Sequence, residues 1–256
     1  MLPFFRKIRY RLAQDNQFFK YSKYAIGEIA LVVIGILIAL QINNWNEDRK
    51  TAKQEIKILN DLKNDLETNL KEISETYKST NQRQKSIVLI LDYFENAMPV
   101  DDSLKKAFES LEQDVIFNIA NTSYKFIESQ GINSLSNDSL RIRVTEMYER
   151  HLTNIVTREN LNRQMVSEEL IPFMQEHFVS TATVDKDNLI ALEALNMPKN
   201  IEDLRDDSVF KNIIVRLQTW FLVRLKWQRE SRVSLEQLIL DVRQEIDRLS
   251  NLQSLF

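Results

Sequence analysis

Cysteine is absent from the 256 residues, so there is no disulfide, no thiolate metal site and no cysteine nucleophile, and stability does not depend on the surrounding redox state. That permits an oxidising compartment without requiring one. Glycine occurs three times and proline four times. With so few glycines, neither a P-loop, nor a dinucleotide fingerprint, nor a Gly-x-Ser-x-Gly elbow can be written into the chain. The two histidines, His151 and His177, have no Glu three residues before them and form no His-Glu-x-x-His, which removes the usual helical metal motifs. Carboxylates are plentiful, but they stand at helical surface spacing, where a solvated face is the default and a glycosidase-like pair cannot be told apart. The expectation is a protein that is not an enzyme, with no catalytic residue, no cofactor and no metal.

The scarcity of helix breakers, beside an abundance of Leu, Ile, Glu, Lys, Asn and Gln, predicts an all-α fold of long antiparallel helices. The net charge of −3 conceals an asymmetry. Residues 1–23 carry Arg6, Lys7, Arg9, Arg11, Lys20 and Lys23 against Asp15 alone, whereas residues 47–256 hold 28 basic against 35 acidic side chains. A mildly acidic domain lacks the basic face that nucleic-acid binding needs, so no nucleic-acid partner is expected.

One long hydrophobic run organises the chain. From Ile29 no charge occurs until Glu47, and the nineteen positions Tyr24 to Ile42 would make a helix of roughly 28 Å, close to the ~30 Å hydrocarbon core of a bilayer. Residues 24–46 therefore read as a transmembrane helix in contact with membrane lipid. The preceding segment, residues 1–23, starts Pro3-Phe4-Phe5 and places Ile8 and Leu12 among its cations, a basic amphipathic pattern that suits an anionic leaflet. By the positive-inside rule that end is cytoplasmic. Phe18, Phe19, Tyr21 and Tyr24 would form one aromatic belt and Trp45 the other. The basic region is too long, and Gln41-Ile42-Asn43 too bulky, for a cleaved signal peptide, so the run reads as an uncleaved signal anchor. The resulting division is 1–23 inside, 24–46 in the membrane and 47–256 as a periplasmic helical bundle.

Glu28 is the one ionisable residue within the run. An acid at mid-membrane costs roughly 2.5–3.5 kcal/mol, which ten Leu, Ile and Val residues at about 0.3–0.6 kcal/mol each outweigh. Glu28 stands near the headgroup end or faces a partner helix. Gly35 lies two turns farther on the same side, and Gly35 with Ala39 makes a small-xxx-small pair, so Glu28, Gly35 and Ala39 are candidates for helix packing in the membrane.

The block Phe4-Phe5-Arg6-Lys7-Ile8-Arg9, then Tyr24-Ala25-Ile26-Gly27-Glu28-Ile29 and Val32-Val33-Ile34-Gly35-Ile36-Leu37-Ile38-Ala39-Leu40-Gln41-Ile42-Asn43-Asn44-Trp45-Asn46-Glu47, resembles the start of a family of uncharacterised single-pass inner-membrane proteins of Bacteroidota. Asn121-Thr122-Ser123-Tyr124, Glu128-Ser129-Gln130-Gly131-Ile132-Asn133 and Asn137-Asp138-Ser139-Leu140 look like a later segment of it. The resemblance implies an inner-membrane anchor and a periplasmic helical domain, and brings no activity or site residue with it.

Beyond the run, Leu59, Leu66, Leu70, Ile73, Tyr77, Ile87, Leu91 and Phe94 lie on three- and four-residue steps, predicting a long helix from Glu47 to about Ala97. Lys63, Thr80 and Gln84 fall on the same seam, and the polar stretch Thr80 to Lys85 suggests looser packing or a bend. Such a seam packs against helices of the same chain, or forms an intermolecular coiled coil. Met98-Pro99-Val100 closes the helix, and Asp101, Asp102 or Ser103 caps a shorter one holding Leu104, Phe108 and Leu111. Gly131 suits a turn or helix C-cap. Asn137 or Asp138 opens a helix running to Pro172. Residues 179–207 read as a linker with a short helix at 189–195, and a final helix spans about Ser208 to Asn251.

Trp220 and Trp227, seven residues apart on that last helix, read as core or inter-helix contacts, with ligand or partner contact as the functional alternative. Two functions follow. The first is a membrane-anchored structural or interaction module that contacts envelope proteins or its own copies as a homo-oligomer. The alternative is an extracytoplasmic sensor of a small-molecule ligand, signalling through a partner because some 23 cytoplasmic residues form no output domain.

Overall fold

A computed structural model of the chain describes residues 18–96, 98, 100–113, 116–131, 134–185 and 190–254. The basic stretch over residues 1–17 and the side chains of Phe18, Phe19 and Tyr21 lie outside the described residues. The fold is mostly helical (87%), which meets the all-α expectation apart from one hairpin. Two compact units divide it, Lys57–Asn251 and the residues up to Ile56 together with Leu252–Phe256.

The first helix, α1, is a single element from Phe18 to Asn96. Nothing in its sequence interrupts the i to i−4 ladder until Pro99. In its apolar part, Ile29 through Ile42 are exposed around the whole circumference, and this is the one stretch among the described residues long and apolar enough to cross a membrane.

Within Lys57–Asn251 the remainder of α1 buries a stripe. Leu59, Leu66, Ile73, Ile87 and Phe94 are buried as the spacing predicts, joined by Leu62, Ile90 and Tyr93, while Leu70, Tyr77 and Leu91 are half-buried. On the polar part of the seam Thr80 and Gln84 are buried, and α1 continues through them without a break.

Helix α2 (Asp102–Glu109) is capped by Asp101, whose carboxylate accepts from Leu104 N at 2.9 Å. Helix α3 (Thr122–Gln130) ends at Gly131, where φ of 88° favours a residue without Cβ. Asn137 caps α4 (Asp138–Glu146), accepting from Leu140 N at 3.1 Å. The helical run then continues to His177, but with two π-helical insertions at Met147–Leu152 and Val166–Leu170 around α5 (Thr153–Met165), before α6 (Ile171–His177). Thr153 Oγ1 donates to the carbonyl of Tyr148, five residues back, the spacing a π turn brings into reach. Pro172 follows directly on the second π-helical insertion, within the continuing helical run.

Residues 178–198 overturn the linker reading and its short helix at 189–195. They form an antiparallel hairpin, β1 (Phe178–Asp185) with β2 (Ile190–Pro198), in register from Phe178 opposite Pro198 to Asp185 opposite Ile190, with a bulge between Thr183 and Val184. The β-branched run Val179, Thr181, Thr183 and Val184 favours a strand, and cross-strand pairing overrides the helical propensity of Leu, Ala and Glu at 191–195. A short α7 (Ile201–Asp206) precedes α8 (Ser208–Ser254), which Asp207 caps by accepting from Val209 N and Phe210 N.

Three long helical elements pack side by side in this unit. Glu67 with Arg243, Thr76 with Gln228 and Phe94 with Phe210 show α1 antiparallel to α8. Asn137 with Glu245, Glu159 with Arg224 and Glu169 with Arg216 show the 138–177 run antiparallel to α8 as well. The core at one end is aromatic: Phe210 is fully buried, with Phe94, Phe108, Phe173 and Phe178 around it at ring-centre distances of 5.8, 6.4, 5.1 and 5.8 Å.

Candidate functional site

The side chains singled out from the sequence fall in different places. Glu28 is half-buried in α1, and Gly35 and Ala39 lie on its exposed apolar stretch. A Cβ placed on Gly35 would meet no atom within 4 Å, so within this chain no close approach accounts for that glycine. Trp220 is half-buried against the aromatic core. Trp227, also half-buried, carries the guanidinium of Arg158 over its ring at 4.9 Å. Neither tryptophan lines two grooves described on the surface: one, of about 440 Å³, is lined by Glu169, Phe173, Ile213 and Arg216 among others, and another, of about 300 Å³, by Asn137, Arg143, Asp241 and Arg248 among others.

Sequence reasoning missed a polar layer in the middle of the helical unit. Arg224 donates to Glu159 Oε1 at 2.6 Å, and both side chains are about 96% withdrawn from solvent. The second carboxylate oxygen of Glu159 accepts from Phe117 N at 2.9 Å. Arg83, also buried, lies over the Phe221 ring at 4.7 Å and donates to the carbonyl of Leu111 at 3.2 Å. Thr76, Thr80, Gln84, Asn162, Gln228 and Ser231 complete the layer. Periodicity pointed to Thr80 and Gln84, whereas an Arg on a helix reads as surface by default, so Arg83 and Arg224 gave no signal.

Another constellation joins α1 to the irregular residues 116–121. Glu72 Oε2 accepts from Asn118 N at 3.1 Å. Asn69, itself fully buried, brackets Ala120: its Oδ1 accepts from the N–H and its Nδ2 donates to the carbonyl, each at 2.8 Å. Asp65 Oδ2 accepts from Ser123 N at 2.8 Å and Ser123 Oγ at 2.6 Å. Asp65, Asn69 and Glu72 stand at i, i+4 and i+7, one face of α1. Because Asn121 makes no side-chain cap for α3, Asp65 supplies that helix with its N-terminal acceptor from across the fold.

Close by, Tyr124 and Tyr148 stack with ring centres 4.5 Å apart. Burial, reinforced by Glu149 and Glu128, pushes the Tyr124 phenol up to about 12, and burial pushes Tyr148 up as well. His177 stacks on Phe173 at 4.2 Å. Among the described residues, no three His, Asp or Glu side chains gather as a metal site would require.

A mostly helical chain with one apolar stretch able to cross a membrane defines a broad class. The particular family is narrower. The sequence pattern of DUF6090, a family of unknown function, matches residues 28–217, and the chain belongs to that family. No curated protein and no solved structure matches it.

Proposed function

We propose that this protein is a single-pass inner-membrane protein whose helical part, on the periplasmic side, is an interaction module for envelope proteins or further copies of itself, without enzymatic activity. The observation that carries the reading is the run of apolar side chains from Ile29 to Ile42, exposed on all sides in the folded chain, with Leu31 at 70% and Leu37 at 58%. Water does not tolerate such a cylinder and lipid does. The basic excess before the run supports an inward-facing N-terminus. The sensor alternative draws no support from Trp220 and Trp227, which serve packing and a cation–π contact.

Reporters active on only one side of the bilayer, fused in turn to each end, test the topology; both ends in one compartment would overturn it. Affinity capture from gently solubilised membranes tests the module, with Glu28→Ala and Gly35→Leu run in parallel. Loss of a recovered partner or of a homo-oligomer in either variant assigns packing to the span. Unchanged recovery in both reduces the span to an anchor.

A further inference from the structure

We propose that residues 116–121 form a detachable strap over a polar track on α1, and that the uncovered track holds an extended polypeptide segment of a partner through the same hydrogen bonds. This deepens the interaction-module reading by naming a kind of partner and a place for it. The track is made of Asp65, Asn69 and Glu72. Every bond they make to residues 118–120, and one of the two to Ser123, goes to a main-chain atom. Recognition of that sort reads an extended backbone and is indifferent to its side chains, as in strand addition, where main-chain bonds supply affinity and pockets supply selectivity.

Three features make the strap separable from the unit it covers. Residues 116–120 belong to no helix or sheet, so lifting them breaks no ladder, and Asn121, whose carbonyl accepts from Lys125 N at the start of α3, is the hinge. Only Phe117 is deeply buried (2% exposed), whereas Ile116 is 55% exposed and Asn118 is exposed. The groups left behind on α1 are the Glu72 carboxylate and the Asn69 amide, which water can solvate, while Asp65 keeps its hold on Ser123 of α3; the apolar surface uncovered is that under the Phe117 ring. Segments held by few apolar contacts open locally at a lower free energy than the whole fold. Phe117 also supplies the one selective element, since its N–H is held by the buried Glu159 and its ring enters the core. An incoming segment is therefore expected to carry an aromatic or large apolar residue followed by an extended stretch.

Hydrogen exchange on the full-length chain in detergent tests the strap. The amides of Phe117, Asn118 and Ala120 are expected to exchange at least about tenfold faster than those in the middle of α5. Asn69→Ala should speed them about a further tenfold and leave α5 unchanged. Strap amides that exchange only in step with α5 would overturn the idea whatever the partner capture yields, which keeps the two readings apart. A labelled peptide of residues 112–124 tests the track. It should bind the Phe117→Ala chain, whose own strap is weakened, and should lose at least about tenfold in affinity when Asn69→Ala is added. Should Phe117→Ala lose its helical circular dichroism, Asn118→Pro, at an exposed position, weakens the strap in its place. Absence of binding to an opened chain, or binding indifferent to Asn69, defeats the proposal.

Discussion

Helix α1 contains two regions with the same backbone and opposite side-chain logic. Between Ile29 and Ile42 apolar side chains face outward on all sides, while between Leu59 and Phe94 the outward faces are polar and the inward stripe is apolar with polar insertions such as Asn69, Thr76 and Arg83. A helix that is hydrophobic all round satisfies its backbone internally and needs an apolar solvent, whereas an amphipathic one needs partners along one stripe. Helical propensity does not separate the two regions. What separates them is the angular distribution of apolar side chains, and burying a polar group in the second region costs free energy that a hydrogen bond offsets.

The largest expected effect breaks the first region. Ile34→Asp with Leu37→Asp adds two mid-run acids at roughly 2.5–3.5 kcal/mol each and removes two favourable residues, which exceeds the about 3–6 kcal/mol supplied by the ten aliphatic side chains. The doubly substituted chain should leave the alkaline-washed membrane fraction, and either single substitution should deplete it less. Retention of the double variant would mean that something other than the run anchors the chain.

Next comes the buried ion pair of the second region. Arg224→Met leaves Glu159 with its charge withdrawn from water, an arrangement expected to cost about 3 kcal/mol or more in thermal or denaturant unfolding. Adding Glu159→Leu should recover part of that loss, although Phe117 N then lacks its acceptor. If the double variant is no more stable than the single one, the layer is held by the Phe117 bond and not by the pair. A smaller effect is expected at Gly131. Nothing would clash with a Cβ there, so Gly131→Ala isolates the backbone cost of a conformation (φ 88°, ψ 143°) that favours glycine, about 1–3 kcal/mol of stability.

These positions also mark what could be read from the sequence. Long-range regularity was legible: the apolar run, the stripe Leu59 to Phe94, the caps at Asp101 and Asn137, and the turn at Gly131 all carry their own local signal. The hairpin was not, because Ile190-Ala191-Leu192-Glu193-Ala194-Leu195 prefers a helix locally and becomes a strand only opposite residues 178–185. Nor were the π insertions, which leave the composition of a helix unchanged. The polar track was half legible: Asp65, Asn69 and Glu72 share a face by spacing, but a face of polar residues reads as solvated until the strap that covers it is known.

The smallest effect concerns pH and sharpens the comparison from the alkaline side. In the helical unit Tyr124 stacks on Tyr148, and burial holds the Tyr124 phenol neutral up to about 12, against an ordinary value of 10.0. A phenol whose folded value is raised adds stability that is complete below about pH 10 and is lost as pH climbs from there through about 12, because the unfolded chain releases its proton first. Phenolate absorbance at 295 nm should therefore appear in two stages, the exposed tyrosines ahead and Tyr124 with Tyr148 only as the unit opens. Tyr124→Phe should shrink the late stage and flatten the fall in melting temperature between pH 10 and 12. A single early stage that includes both residues would mean that the stacked pair is accessible to hydroxide in the folded protein, and that the second region of α1 is covered more loosely around Asp65 than its hydrogen bonds to Ser123 imply.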